Sequence, residues 1–198
     1  MEPGKNLLKK YPVVVSLALV CLLFAVVTSF YEEMYDLFAF HSRPVYFWQY
    51  FSGTFMHGSK GAPLWFLWVH LGMNCLMILP FGCVLEARAG SRNAFLVFVV
   101  SVVLSSAVFQ ILLWGQDDLA CGVSAVGYGF VTGGLLNLRG LWRAYSRKKR
   151  VLYLGLSGIA LVMLLPAITG WISTCLHLSG ILSGLIVHFT AGRFSRET

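Results

Sequence analysis

Charge is what this chain has least of. Asp, Glu, Lys and Arg make up 12% of its 198 residues, where a soluble domain carries about a quarter. Long stretches hold no charge at all, and mean hydropathy is +0.75. That combination excludes an ordinary soluble domain and points to a polytopic membrane protein with one membrane domain. Paired cysteines are missing too. Cys21, Cys75, Cys83, Cys121 and Cys175 stand singly, in or beside apolar segments and never at CxxC spacing. A disulfide framework and a cysteine metal site are therefore disfavoured, and the thiols read as small hydrophobes. Nucleic-acid binding is disfavoured as well, despite a net charge of +7. The one dense basic run, Arg147-Lys148-Lys149-Arg150, lies between two apolar segments, where cations set membrane topology.

What the chain has instead is apolar length. The spacing predicts six spans, at about residues 11–30, 64–85, 94–115, 123–138, 151–169 and 173–190; all but the short, glycine-rich fourth are near the ~20 residues needed to cross a bilayer core. The first run is too long for a signal-peptide core and lacks a small-residue cleavage site, so it is expected to be retained. Between the first two spans, residues 32–63 are polar in pattern but dense in aromatics (Tyr35, Phe38, Phe40, Tyr46, Phe47, Trp48, Tyr50, Phe51, Phe55). Such rings collect at the membrane–water boundary, which predicts a semi-embedded loop carrying short helices. With both termini inside, Lys5, Lys9, Lys10, Arg88, Arg92, Arg139, Arg143, Arg147, Lys148, Lys149, Arg150, Arg193 and Arg196 lie on the inner side. These are all of the 15 Lys and Arg residues except Arg43 and Lys60. The apolar pattern puts both termini on one side, and the charge bias, an independent signal, makes that side cytoplasmic.

The chemistry-bearing residues cluster in the outer half of three spans. Ser124 heads the fourth, within Gly122-Val123-Ser124-Ala125-Val126-Gly127-Tyr128-Gly129. A serine alone is more often a packing or hydrogen-bonding residue than a nucleophile, since its hydroxyl needs a base. His177, at similar depth on the sixth span, is the candidate base. Gly180 and Gly184 follow it on one helix face, suited to close packing on the small residues Ala125, Gly129 and Gly133 of the fourth. His70 and Asn74, i and i+4 on the second span, can each donate a hydrogen bond to a developing oxyanion; interhelical polar glue is the bland reading of the pair. No carboxylate falls in the outer half of any span, so a Ser-His dyad is expected in place of a triad. No metal ligand set completes itself, and no cofactor is implied. Tyr128, one turn beyond Ser124, is placed to pack on an imidazole.

Taken together these residues resemble the rhomboid family of intramembrane serine proteases. Four motifs occur in order: HxxxN at His70–Asn74, GxxxExxxG at Gly82–Gly90, the nucleophile motif Gly122-Val123-Ser124-Ala125 with Tyr128 at the expected offset, and HxxGxxxG at His177–Gly184. The resemblance implies an all-α, six-helix membrane fold and a Ser124 nucleophile with His177 as general base, then acid. It further implies an oxyanion site of His70, Asn74 and the Ser124 backbone N–H, a strained loop shaped by Gly122, and a structural role for Glu86. Substrates would be single-span transmembrane proteins, admitted from the lipid bilayer past the fifth helix. The chain departs from the family pattern at Gln49, Ala125 and Leu176, and in a longer stretch from His57 to His70. His57 is expected to support the loop without touching substrate. The small size and the lack of a targeting segment lead to the expectation of a bacterial inner-membrane protein. A catalytically silent relative that binds membrane clients is the competing expectation; a transporter is disfavoured, because no inverted repeat is found.

Overall fold

The computed structural model describes residues 7–138 and 141–194, with side chains up to residue 190. Of the inner cations named above, Lys5, Arg139, Arg196 and the Arg193 side chain lie outside the described residues. Six long helices dominate: α1 (Pro12–Thr28), α2 (Leu64–Ala89), α3 (Ser91–Leu112), α4 (Ser124–Leu138), α5 (Arg147–Val162) and α6 (Trp171–Phe194). Among the described residues, α2, α3 and the Trp171–Thr190 part of α6 have the length and apolar character to cross a membrane, and α1 is a shorter apolar helix. The chain is an integral membrane protein with an all-helical body.

Helix α1 begins where Pro12 can occupy the first turn without wasting a donor. The free N–H groups of that turn find an unusual acceptor: Glu86, near the end of α2, takes Val13 N–H and Val14 N–H on its two carboxylate oxygens, each at 3.0 Å. A buried anion at a helix N-terminus meets the positive end of the helix dipole as well as its orphan donors. This is how a carboxylate is kept beside the core at 4% exposure.

Helix α4 is the axis of the bundle, with both sides of most of its length buried. Its glycines let three neighbours close in. A Cβ on Gly134 would come within 2.7 Å of the Phe81 carbonyl on α2, and one on Gly129 within 2.6 Å of Ser101 Oγ on α3. From the other side, a Cβ on Gly180 of α6 would overlap the Ala125 carbonyl at 1.9 Å, and one on Gly184 would reach Gly129 O at 2.7 Å. The small-residue match expected between the fourth and sixth spans is thus present for Ala125 and Gly129. It is corrected for Gly133, which faces Leu85 of α2. At about 3.6 residues per turn an i, i+4 row drifts around the helix, and by i+8 it has left the α6 face.

The fifth span differs from expectation at both ends. It starts at Arg147, where the Ser146 hydroxyl accepts Lys149 N–H, so the basic run forms the first turn of the helix. It stops at Val162 and does not continue to Thr169. Pro166 has no N–H and disfavours helical backbone before it, and Leu165 is extended (φ −71°, ψ 125°). A separate turn, Pro166–Thr169, follows and leads through Gly170 into α6.

The segment between α1 and α2 carries short helices, Met34–Phe38 with 3₁₀ turns at Phe47–Tyr50 and Ser52–Thr54. It is anchored by the buried Gln49. The Gln49 amide oxygen accepts Val45 N–H at 2.8 Å and Tyr46 N–H at 3.1 Å, while its NH₂ donates to the Asp36 carbonyl at 2.7 Å. Sequence patterning gave no sign of a two-residue antiparallel pair, β1 (Phe40–His41) with β2 (Leu119–Ala120), in register Phe40↔Ala120 and His41↔Leu119. This pair ties the loop to the approach to α4.

Glu86 offers a direct test of the α1–α2 link. Replacing it by Ala removes two charge-assisted bonds, a loss of about 2 kcal/mol. For a chain of this size that lowers the melting midpoint in detergent by roughly 4–8 °C, and Glu86→Gln should fall between the two. An unchanged midpoint for Glu86→Ala would contradict the assignment.

Candidate active site

Ser124 opens α4, so its backbone N–H is among the first donors of the helix and has no acceptor within it. The turn before it depends on Gly122, whose φ of +131° suits only glycine. Gly122 N–H donates to the Gly53 carbonyl at 3.0 Å, a second tie between the first loop and this turn. The point that a Cβ on Gly122 would fill is 3.0 Å from His70 Nε2 and 3.9 Å from Ser124 Oγ. A small space therefore lies between the two side chains, and glycine keeps it open.

His177 is buried on α6, and its Nε2 stands 3.1 Å from Ser124 Oγ. That is within hydrogen-bond reach for a proton transfer. Its Nδ1 is buried and has no hydrogen-bond partner among the described residues. The imidazole plane is set by Tyr128, which stacks on it with centroids 4.4 Å apart and planes 28° apart. Tyr128 is itself fixed by donating its hydroxyl to the Ala160 carbonyl of α5 at 2.6 Å. Three helices thus determine one ring orientation.

His70 and Asn74 occupy one face of α2, opposite the serine. His70 Nδ1 accepts Gly58 N–H at 3.2 Å, and its ring lies edge-on to His57 at 5.3 Å. Asn74 is 1% exposed, yet its Nδ2 has no partner among the described residues. A buried donor without an acceptor costs about 1–3 kcal/mol, so this amide is suited to an oxygen that arrives with a ligand. His70, Asn74, Gly122, Ser124, Tyr128 and His177 all line one cavity of about 780 Å³. Its wall is otherwise mostly apolar, with Met73, Met77, Met163 and Leu176 among the contributors. A smaller cavity of about 270 Å³, between the end of α1 and the start of α2, contains none of these residues.

Four of the residues singled out in the sequence, Glu86, His57, Gly180 and Gly184, sit away from the cavity. Glu86 lies at the α1 N-terminus as described. His57 is fully buried, with Nδ1 3.2 Å from the Phe55 carbonyl. Burial, with His70 beside it, pushes its pKa down to about 3. Gly180 and Gly184 touch α4 and not the cavity. No group of three or more potential metal ligands exists among the described residues.

The rhomboid domain matches residues 44–194, well over half of the chain. The chain belongs to the rhomboid family. Comparison with curated proteins gives no match. The matched region of this rhomboid runs from within the first loop through α6 and includes His70, Asn74, Gly122, Ser124, Tyr128 and His177; α1 and the cavity-lining Phe40 precede it. Three contributors escaped sequence reasoning. Tyr35 donates its hydroxyl to the His57 carbonyl at 2.6 Å. Gly58 supplies the bond to His70, and its positive φ (+86°) left only a turn-like GSKG pattern as a trace. The β1–β2 pair was too short for any periodicity to register.

The neutral, buried His57 carries a pH signature. Unfolding restores an ordinary imidazole, with a pKa of about 6.5, which takes up a proton that the native state refuses. Stability is complete above that value and falls as pH drops from 6.5 towards 3, by about 1.4 kcal/mol per pH unit for one such group. Melting of the detergent-solubilised rhomboid between pH 7 and 4.5 should show a shallower decline in His57→Phe than in wild type; parallel curves would contradict the buried, neutral assignment.

Proposed function

We propose that this rhomboid is an intramembrane serine endopeptidase that cuts transmembrane proteins with a Ser124–His177 dyad. The observation that carries the reading is the 3.1 Å approach of His177 Nε2 to Ser124 Oγ inside the cavity, opposite an unpartnered Asn74 donor. His177 Nε2 takes the hydroxyl proton as Ser124 Oγ bonds to the substrate carbonyl carbon. The carbonyl π pair moves to oxygen, and the oxyanion is received by Ser124 N–H, His70 Nε2–H and Asn74 NH₂. The C–N bond then breaks, and the amine leaves with the proton from His177. Water, deprotonated by the same imidazole, releases the acyl group and restores Ser124. With no carboxylate at Nδ1, the imidazole is oriented by Tyr128 and its helix contacts. No metal or cofactor enters the scheme.

The same reading places six spans in the bilayer with both termini cytoplasmic, as the Lys and Arg bias supports. The aromatic first loop lies in the outer leaflet, with Phe47, Tyr50 and Phe51 exposed to it. Substrates are single-span proteins whose helix is weakened near the cleavage site, admitted past α5. The break at Pro166 and the mostly exposed apolar surface of α5 suit that route. A bacterial inner membrane is the proposed location.

A reporter made of one transmembrane segment between two soluble tags decides the matter. Co-reconstituted in liposomes, wild type should cleave it and Ser124→Ala should not, at equal protein levels and melting midpoints. Cleavage by Ser124→Ala at the wild-type rate would refute the mechanism. A wild type inert towards every such reporter would return the chain to the silent, client-binding alternative.

A further inference from the structure

The segment Glu32–Asp36 grips the turn that follows the first loop at three points. Tyr35, itself 4% exposed, donates its hydroxyl to the His57 carbonyl at 2.6 Å. Asp36 takes the Lys60 ammonium on both carboxylate oxygens, at 2.8 and 2.6 Å, and Glu32 accepts Gly61 N–H. These grips are unequal. The Lys60–Asp36 pair is about half exposed, and such solvated pairs contribute little to stability. The Glu32 bond to Gly61 N–H is exposed, whereas the Tyr35 bond to the backbone is buried. What it fixes is the His57–Gly58 peptide, whose Gly58 N–H points at His70 Nδ1.

The fit around Gly58 is tight. Its φ is +86°, and an added Cβ would stand 2.6 Å from the Tyr35 hydroxyl and 3.0 Å from Leu67 Cβ on α2. The bond to His70 has a chemical consequence. A neutral imidazole has one donor and one acceptor nitrogen. If Nδ1 accepts from a backbone N–H, the proton must be on Nε2, the nitrogen beside Gly122 and the serine. The opposite tautomer would set two N–H groups against each other at Nδ1 and turn a lone pair towards the cavity, where a developing oxyanion would be repelled.

We infer that Tyr35 and Gly58 are positioning residues for the proposed reaction: the Tyr35-anchored His57–Gly58 turn holds His70 as the Nε2–H tautomer, aimed at the space beside Ser124. Neither residue touches substrate through its side chain; both act through His70. The kinetic consequence rests on the protease reading above, whereas the tautomer does not.

The test therefore has two arms. In the first, the full chain, labelled with ¹⁵N-histidine in detergent micelles and assigned with His70→Gln, is examined by NMR. His70 should show a single Nε2–H tautomer in wild type, and a mixed or exchanging one in Tyr35→Phe. A His70 that is Nδ1–H in wild type overturns the inference, whether or not the protein cleaves anything. In the second, cleavage of the reporter is followed at several concentrations. Complete loss of an oxyanion donor costs about 100- to 1000-fold. Partial misorientation in Tyr35→Phe should lower kcat about tenfold, with KM within about twofold and a melting midpoint lowered by several degrees but still well above the assay temperature. Gly58→Ala should lower kcat further. A folded Tyr35→Phe with wild-type kcat overturns the positioning role while leaving the dyad intact. An inactive wild type would count against the protease reading alone.

Discussion

The site depends on how closely α6 can lie on α4. At Gly180 the gap to the Ala125 carbonyl is too small for even one methyl group, since a Cβ there would sit 1.9 Å from that oxygen. Membrane helices gain little from hydrophobicity when they associate, because lipid is as apolar as leucine; they gain from contact at short range. Glycine at 180 and 184 allows that contact. His177 lies one helical turn before Gly180 on the same face. Its reach to Ser124 is therefore a consequence of backbone proximity, and a wider helix spacing would part the pair by more than a hydrogen bond tolerates.

Around this contact the other elements divide the work of orientation. Helix α5 holds Tyr128, which holds the His177 ring, while α2 carries His70 and Asn74 on the opposite wall. The first loop reaches the site twice through backbone atoms, from Gly53 to Gly122 and from Gly58 to His70. Glu86 secures the other end of the bundle, where it closes α1 onto α2. Polar atoms in a membrane protein have few partners to choose from, so each of these bonds specifies a position as well as contributing energy. Asn74 Nδ2 is one of several buried polar atoms without a partner among the described residues, and its place in the cavity wall gives it a use.

The sequence made the broad fold and the residues around the cavity visible for separate reasons. The apolar runs marked α2, α3 and α6 as long apolar helices and α1 as a shorter one, since length without charge is a strong signal. The exception was the fifth, where Pro166 was absorbed into an apolar run that it in fact terminates. Ser124, His177, His70 and Asn74 stood out because polar groups at bilayer depth are costly and occurred at helical spacing. Gly133 was assigned to the wrong neighbour, because small-residue spacing identifies a face but not the drift of that face around the helix. Tyr35, Gln49 and Gly58 act through backbone groups: Tyr35 and Gln49 grip carbonyls or N–H groups of the loop, and Gly58 offers its own N–H. Such bonds leave no periodicity and no motif. They emerge only when the loop is folded, which is why the loop's role in orienting His70 was not legible.

The central claim is that the α4–α6 contact turns an ordinary serine into a nucleophile. It is tested most directly by the rate at which a fluorophosphonate forms an adduct in the intact, detergent-solubilised chain, with the modified residue located by mass spectrometry. The account predicts a single adduct at Ser124, forming at least about a thousandfold more slowly in a folded His177→Asn variant. An adduct that forms at the same rate without His177, or on a residue other than Ser124, would contradict it.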